Sequence, residues 1–127
     1  EGLMEMSFGD WENMTSDEAV ASDPELFGQI YEEGLDMPRG RDGESFSEAG
    51  ERVYETIQSL VVSTDHAHIG AVSHGAALRS YITRVMGLTF ATRDRFPIPR
   101  NSSMSQVRHT TNGPVLAAYN VAPHLDT

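Results

Sequence analysis

One stretch of sequence decides the fold class, Ile69-Gly70-Ala71-Val72-Ser73-His74-Gly75-Ala76-Ala77-Leu78-Arg79. Its apolar first half is expected to form a strand, and a helical pattern begins directly after Ser73-His74-Gly75. Backbone N–H groups at a helix N-terminus favour anions, so this corner predicts a phosphate site beside the imidazole of His74. The alternative is that Ser73-His74-Gly75 only makes a tight turn between strand and helix.

The composition is that of a globular chain with one domain. Of its 127 residues, 39% are apolar and 22% are charged. No apolar run approaches the roughly 20 residues needed to cross a bilayer, so no membrane contact is expected. A net charge of −10 argues against non-specific nucleic-acid binding. The absence of cysteine excludes disulfides and thiolate chemistry, and it favours a cytoplasmic protein.

Local signals predict helices and strands along the whole chain. Three capping signals precede helical patterns: Thr15 with Glu18, Asp23-Pro24, and Ser45 with Glu48. The third begins a long amphipathic helix near residues 46–63, and the helix after His74 ends at Gly87. Strands are predicted near 67–73, 103–109 and 115–120, the last two joined by a hairpin turn at residues 111–114. The run 67–73 is apolar on both faces, which places it inside a sheet, and the class is therefore α/β.

Four residues carry the candidate chemistry. His74 follows the carboxyl end of a predicted strand, where open α/β sheets bind ligands, and Gly75 has no Cβ to block a ligand from the backbone. Glu5 is a candidate general acid, because a carboxyl group beside an anion is harder to ionise; the alternative is a solvated side chain. Trp11 either lines a pocket or fills the core, and composition favours the core.

The other polar residues give weaker indications of function. His66 and His68 alternate at the start of a predicted strand, but no third ligand lies nearby, so no metal site is predicted. Ser73 as a hydrolase nucleophile would lack the Gly-x-Ser-x-Gly elbow and a nearby base. Arginines of the second half could give an anionic small molecule a local positive field: Arg79, Arg84, Arg93, Arg95, Arg100 and Arg108.

An ordered set of short motifs carries a family resemblance. They are Leu3-x-Glu5, Gly9-x-Trp11-Glu12, Gly43-Glu44-Ser45 with Arg52, Val72-Ser73-His74-Gly75 with Arg79, Asn101-Ser102-Ser103, Asn120 and His124-Leu125. In this order they resemble the carboxyl-terminal part of the histidine phosphatase superfamily, in its phosphoglycerate-mutase-like branch. The resemblance spans nearly the whole chain.

The resemblance implies a fold and a set of roles. The fold would be a mixed, mostly parallel sheet flanked by helices, here incomplete at its N-terminal side. His74 would be the second histidine, which stabilises the transferring phosphoryl group, and Glu5 would be the acid that protonates the leaving oxygen. Gly75 would donate its backbone N–H to the phosphate, and Trp11 would border the substrate. No cofactor or metal is implied.

The chain also departs from the family pattern. It contains no Arg-His-Gly motif, which in the family provides the nucleophilic histidine, and Asn13 replaces the usual glycine after Trp11-Glu12. We therefore expect residues 1–127 to be the carboxyl-terminal portion of a larger domain. A missing N-terminal segment, a second chain or a rearranged homodimer would then complete the sheet beside residues 67–73.

The function expected from the resemblance is phosphoryl transfer to or from a small phosphorylated substrate through a phosphohistidine. A phosphatase is favoured over a mutase, and the 127-residue chain alone would be inactive. The alternatives are a non-catalytic module that binds a phosphorylated ligand or a protein through the same corner, and a serine hydrolase using Ser73.

Overall fold

The computed structural model describes residues 1–126, and within them four α-helices accompany one β-hairpin. The helices are α1 (Ser16–Ser22), α2 (Pro24–Tyr31), α3 (Phe46–Val62) and α4 (Gly75–Val85). The strands are β1 (Met104–Thr110) and β2 (Gly113–Val121). Short 3-10 helices occur at Gly9–Trp11, Phe90–Arg95 and Pro123–Leu125. No helix in the described range is both long and apolar enough to cross a lipid bilayer.

The predicted helix starts are confirmed. Thr15 with Glu18 and Ser45 with Glu48 form complete capping boxes, in which side chain and backbone exchange hydrogen bonds. The Asp23 carboxylate accepts from the Leu26 N–H at 3.1 Å, ahead of the proline that begins α2. α4 differs from the other three, because its N-cap residue His74 makes no side-chain capping bond.

The two longer helices, α3 and α4, pack directly against each other. Val53, Ala77 and Ile82 are fully buried between them, and the hairpin residues Val107 and Leu116 cover this cluster. Gly50 permits the close approach, since a Cβ at this position would lie 2.8 Å from the Ser80 carbonyl oxygen.

A second apolar cluster joins the N-terminal loop to α1, α2 and the start of α3. Its buried members are Met6, Trp11, Ala19, Leu26, Ile30, Phe46, Ala49 and Phe90. Trp11 is only 6% exposed, and its ring centroid lies 5.8 Å from that of Phe27. The core position that composition favours for Trp11 is therefore confirmed.

The hairpin matches the prediction from residues 103–120. β1 and β2 pair antiparallel, with Thr110 opposite Gly113 across the turn at residues 111–112. Gly113 has a φ of +106°, which a residue with a side chain rarely adopts. The α/β class is confirmed by helices together with this sheet, in which the two described strands are antiparallel rather than parallel.

The prediction of a strand at residues 67–73 is wrong for the described part of the chain, residues 1–126, where these residues form no strand. These residues form a connection between α3 and α4 and pair with no other strand in the described range. Ile69 is 44% exposed and Val72 is 92% exposed, so the predicted burial inside a sheet is also wrong here. The physical reason is that an apolar strand becomes buried only when neighbouring strands and the layer above them supply its contacts.

Candidate active site

The carboxylate of Glu5 binds the N-terminus of α4. Its Oε1 atom accepts from the Ala77 N–H at 2.8 Å, and its Oε2 atom accepts from the Ala76 N–H at 3.2 Å. Oε1 also accepts from the N–H of Met6 at 2.8 Å. A helix N-terminus attracts negative charge through its unpaired N–H groups and its dipole, and here the chain's own carboxylate meets that demand.

His74 lies at the same end of α4. It is the N-cap residue, with extended backbone (φ −120°, ψ 166°), and its side chain is exposed. The next residue, Gly75, has an N–H that meets no acceptor within residues 1–126. Glu5 therefore accepts from two N–H groups at this helix terminus, while the Gly75 N–H has no acceptor among residues 1–126 and the His74 side chain is exposed.

A cleft of about 350 Å³ brings Glu5 and His74 together. It is lined by Met4, Glu5, Met6, Ser7, Phe8, Glu12 and His74. No arginine or lysine is among these lining residues. None of the second-half arginines therefore lines this cleft.

Three of those arginines, Arg79, Arg84 and Arg100, form ion pairs. Arg79 donates to the Phe96 carbonyl at 2.6 Å and to Asp94 at 2.7 Å, which fastens the 3-10 segment to α4. Arg84 pairs with Glu51 on α3, and Arg100 pairs with Asp126. Each of these guanidinium groups already has an anionic partner.

The hydroxyl of Ser73 is also engaged. Its Oγ donates to the Leu3 carbonyl oxygen at 2.7 Å, which ties the N-terminal segment to the corner. A serine nucleophile has to give its proton to a base, and a backbone carbonyl is not one. This geometry weighs against the serine-hydrolase alternative.

Trp11 lies outside the cleft that holds Glu5 and His74, and Gly75 has an additional neighbour. Trp11 lines a separate small pocket of about 150 Å³ beside Met14 and Arg41, not the cleft with Glu5 and His74. Its assignment to the substrate stays a prediction. A Cβ at Gly75 would lie 2.9 Å from the Ile98 side chain, so this glycine also makes room for the loop after the 3-10 segment.

Glu12 is a cleft residue that the sequence did not single out as functional. It is exposed, and its Oε1 atom accepts from the Phe8 N–H at 2.8 Å. The sequence feature that could have identified Glu12 is its position in the motif Gly9-x-Trp11-Glu12. The local sequence does not show, however, that this loop folds back towards His74. Within residues 1–126, no group of three or more histidine and carboxylate side chains is arranged to hold a metal ion.

The arrangement combines a carboxyl group, an imidazole and a backbone N–H at one helix terminus. A carboxyl group can donate or accept a proton, and an imidazole and an N–H can stabilise developing negative charge. These are the parts of a site for transferring an anionic group such as phosphoryl.

The sequence and fold place the chain in a known class. Residues 1–122 match the Histidine phosphatase superfamily (branch 1), and the chain belongs to this superfamily. The family resemblance read from the ordered motifs is confirmed.

Individual relatives add detail. Over 130 residues the chain is 30% identical to a protein named probable phosphoglycerate mutase GpmB from Serratia proteamaculans (strain 568), covering 98% of the chain and 60% of the relative. The fold of this chain is similar to that of YhfR from Bacillus stearothermophilus, with a TM-score of 0.84 at 23% sequence identity. The match covers 98% of this chain and 61% of YhfR. The fold is also similar to that of a variant of phosphoserine phosphatase from Entamoeba histolytica in complex with phosphoserine, with a TM-score of 0.83 at 22% identity and coverages of 98% and 62%. The chain thus spans about three fifths of the length of these relatives.

Proposed function

We propose that this chain supplies the general acid, Glu5, and the second histidine, His74, of a metal-independent phosphoryl-transfer enzyme that works through a phosphohistidine. The reaction is hydrolysis of a small phosphorylated substrate, rather than a mutase reaction. One observation carries the proposal: the Glu5 carboxylate is held on the first turn of α4, in the same cleft as the His74 imidazole.

The proposed roles follow from where charge develops. A histidine outside residues 1–127 attacks phosphorus, and the bond from phosphorus to the substrate oxygen breaks. Glu5 gives its proton to that oxygen, so an alcohol leaves rather than an alkoxide. His74 and the Gly75 N–H stabilise the charge on the phosphoryl oxygens. Glu5 then takes a proton from water, which attacks phosphorus, releases the histidine and yields inorganic phosphate.

The unpaired segment 67–73 supports the placement of the attacking histidine. This segment belongs to no helix or strand among the described residues, is mostly exposed and mostly apolar, and leads directly into His74. We propose that residues 1–127 are the carboxyl-terminal part of a larger domain and that an upstream segment of the same protein pairs with 67–73, bringing its histidine beside the cleft. The cytoplasmic location stays a prediction.

Hydrogen exchange tests the pairing. In the complete gene product, the amides of residues 67–73 should exchange much more slowly than in the 127-residue chain, because strand pairing protects them. Unchanged exchange would overturn the upstream-segment proposal. Protection that depends on protein concentration in the 127-residue chain would instead assign the partner strand to a second copy.

Two substrates with different leaving groups test the chemistry in the complete gene product. p-Nitrophenyl phosphate releases a stable phenolate without a proton, whereas an alkyl phosphate such as phosphoserine needs one. Glu5→Gln should therefore lower kcat/KM for the alkyl ester by about 100-fold or more and affect the nitrophenyl ester much less. His74→Ala should lower both by about 100- to 1000-fold.

His66→Ala is the matched control, since His66 is an exposed histidine that does not line the cleft. Near-normal turnover by His74→Ala, or equal losses on both substrates for Glu5→Gln, would refute the assigned roles. Saturable phosphate binding without turnover would favour the non-catalytic binding module. A serine-directed phosphonate should leave Ser73 unlabelled.

A further inference from the structure

Arg52, in the second turn of α3, holds the backbone around Glu5. Its Nη1 atom donates to the carbonyl oxygens of Gly2 at 3.0 Å and Met4 at 3.2 Å, and Nη2 reaches the Glu5 carbonyl at 3.4 Å. The remaining N–H groups form a bidentate pair with the Glu44 carboxylate, at 2.6 and 2.8 Å. Every N–H donor of this guanidinium is therefore used.

Glu44 holds the other side of Glu5. Its Oε2 atom accepts from the Ser7 N–H at 2.9 Å, and its own N–H donates to the Ser7 carbonyl at 2.9 Å. Glu44 therefore hydrogen-bonds to both the N–H and the carbonyl group of Ser7. Together, Arg52 and Glu44 fix the chain on both sides of Glu5.

Residues 2–7 need this support because they belong to no helix or strand. Without a regular hydrogen-bond ladder, their path depends on the side chains that meet their carbonyl and N–H groups. The pair also stays ionised: the hydrogen bonds from Arg52 lower the pKa of Glu44, and those to Glu44 raise the pKa of Arg52.

We propose that Arg52 and Glu44 are positioning residues for Glu5, which place its carboxylate on the N-terminus of α4 and so at the reacting oxygen. The proposal deepens the function proposed above and rests on it for the role of Glu5. The hydrogen bonds from the Ala76 and Ala77 N–H groups to the Glu5 carboxylate can be tested in the 127-residue chain alone, independently of activity.

The amide resonances of Ala76 and Ala77 test that placement in the 127-residue chain. Glu5→Ala gives the NMR positions of these two resonances without the carboxylate. In Arg52→Lys both should move towards those positions, because lysine keeps the charge but cannot make the forked contacts. Glu44→Gln, which keeps the shape and loses the charge, should move them the same way.

Arg84→Lys is the matched control, since Arg84 pairs with Glu51 between α3 and α4 without touching residues 2–7. It should leave both resonances in place. Resonances of the β1–β2 hairpin report whether each variant is folded. If both Arg52→Lys and Glu44→Gln are folded and leave Ala76 and Ala77 unmoved, the positioning role is wrong, whatever the enzyme's activity.

Kinetics of the complete gene product separate positioning from binding. Arg52→Lys should lower kcat about 10- to 100-fold on an alkyl phosphate with little change in KM, because a displaced acid affects the transition state more than binding. A change in KM alone would contradict the proposal. If Glu5→Gln has no kinetic effect while the resonances still move, the proposed function fails and the structural role of Arg52 stands.

Discussion

The Glu5 carboxylate accepts a hydrogen bond from the Ala77 N–H at 2.8 Å, across 72 positions of sequence. A carboxylate at this point neutralises the positive end of α4 and replaces the missing side-chain cap of His74. The contact also fixes the distance between the N-terminal loop and the corner that carries the histidine. It therefore links the stability of the helix to the geometry of the site.

Removing this cap should weaken the fold of the 127-residue chain. Glu5→Ala leaves the N–H groups of Ala76 and Ala77 without their acceptor, and the free energy of unfolding should fall by about 1 kcal/mol. Urea denaturation followed by circular dichroism measures the loss. Glu55→Ala is the control, since Glu55 is exposed on α3, and it should change stability much less. Equal effects of the two variants would contradict the capping role.

Acid should destabilise the chain partly through Glu44. The hydrogen bonds from Arg52 lower the pKa of this carboxyl in the folded state, so its contribution to stability is present above the unfolded value, about 4.3 for glutamate. That contribution is lost as the pH falls through the lowered folded value. Glu44→Gln should therefore be less stable at neutral pH and show a shallower loss of stability on acidification. Urea denaturation over a series of pH values tests this, and parallel curves for the two proteins would count against it.

Replacing Gly50 or Gly28 with alanine should change the stability of the chain in opposite directions. A Cβ at Gly50 would lie 2.8 Å from the backbone oxygen of Ser80, so Gly50→Ala should destabilise the α3–α4 contact by about 1 to 3 kcal/mol. A Cβ at Gly28, in α2, would meet only the end of the Glu32 side chain at 3.8 Å. Gly28→Ala should therefore stabilise the chain by about 0.5 to 1 kcal/mol through helix propensity. Thermal or urea unfolding measures both, and a stabilising Gly50→Ala would show that the helices can move apart.

Two tyrosines provide a similar contrast. The Tyr81 hydroxyl is buried without a hydrogen-bond partner among residues 1–126, and burial raises its pKa to about 12. Tyr81→Phe removes an unpaired polar group and should raise the free energy of unfolding by about 1 kcal/mol. Burial likewise raises the pKa of Tyr119 to about 12, but its hydroxyl donates to the Pro97 carbonyl at 2.5 Å. Tyr119→Phe should therefore lower the free energy of unfolding by about 1 kcal/mol. Changes of the same sign in the free energy of unfolding of both variants would refute this difference.

Much of the fold was predictable because its signals are local. The capping boxes at Thr15 and Ser45 bring together residues three positions apart, and the hairpin depends on a turn of a few residues. The motifs also identified Glu5 and His74 as candidates. The contacts of Glu12, Glu44 and Arg52 were not predicted, because they depend on how the N-terminal loop folds back.

By itself, the sequence determined the helices, the hairpin, the family and the pair of residues at the candidate site. Only the tertiary structure decided that the Glu5 carboxylate occupies the anion-binding end of α4 and that Arg52, on α3, holds the loop that places it. It also decided that residues 67–73 are exposed in this chain, although they have the composition of a buried strand. The reason is physical: capping and turn signals act over a few residues, whereas burial and long-range hydrogen bonds depend on which segments fold against one another.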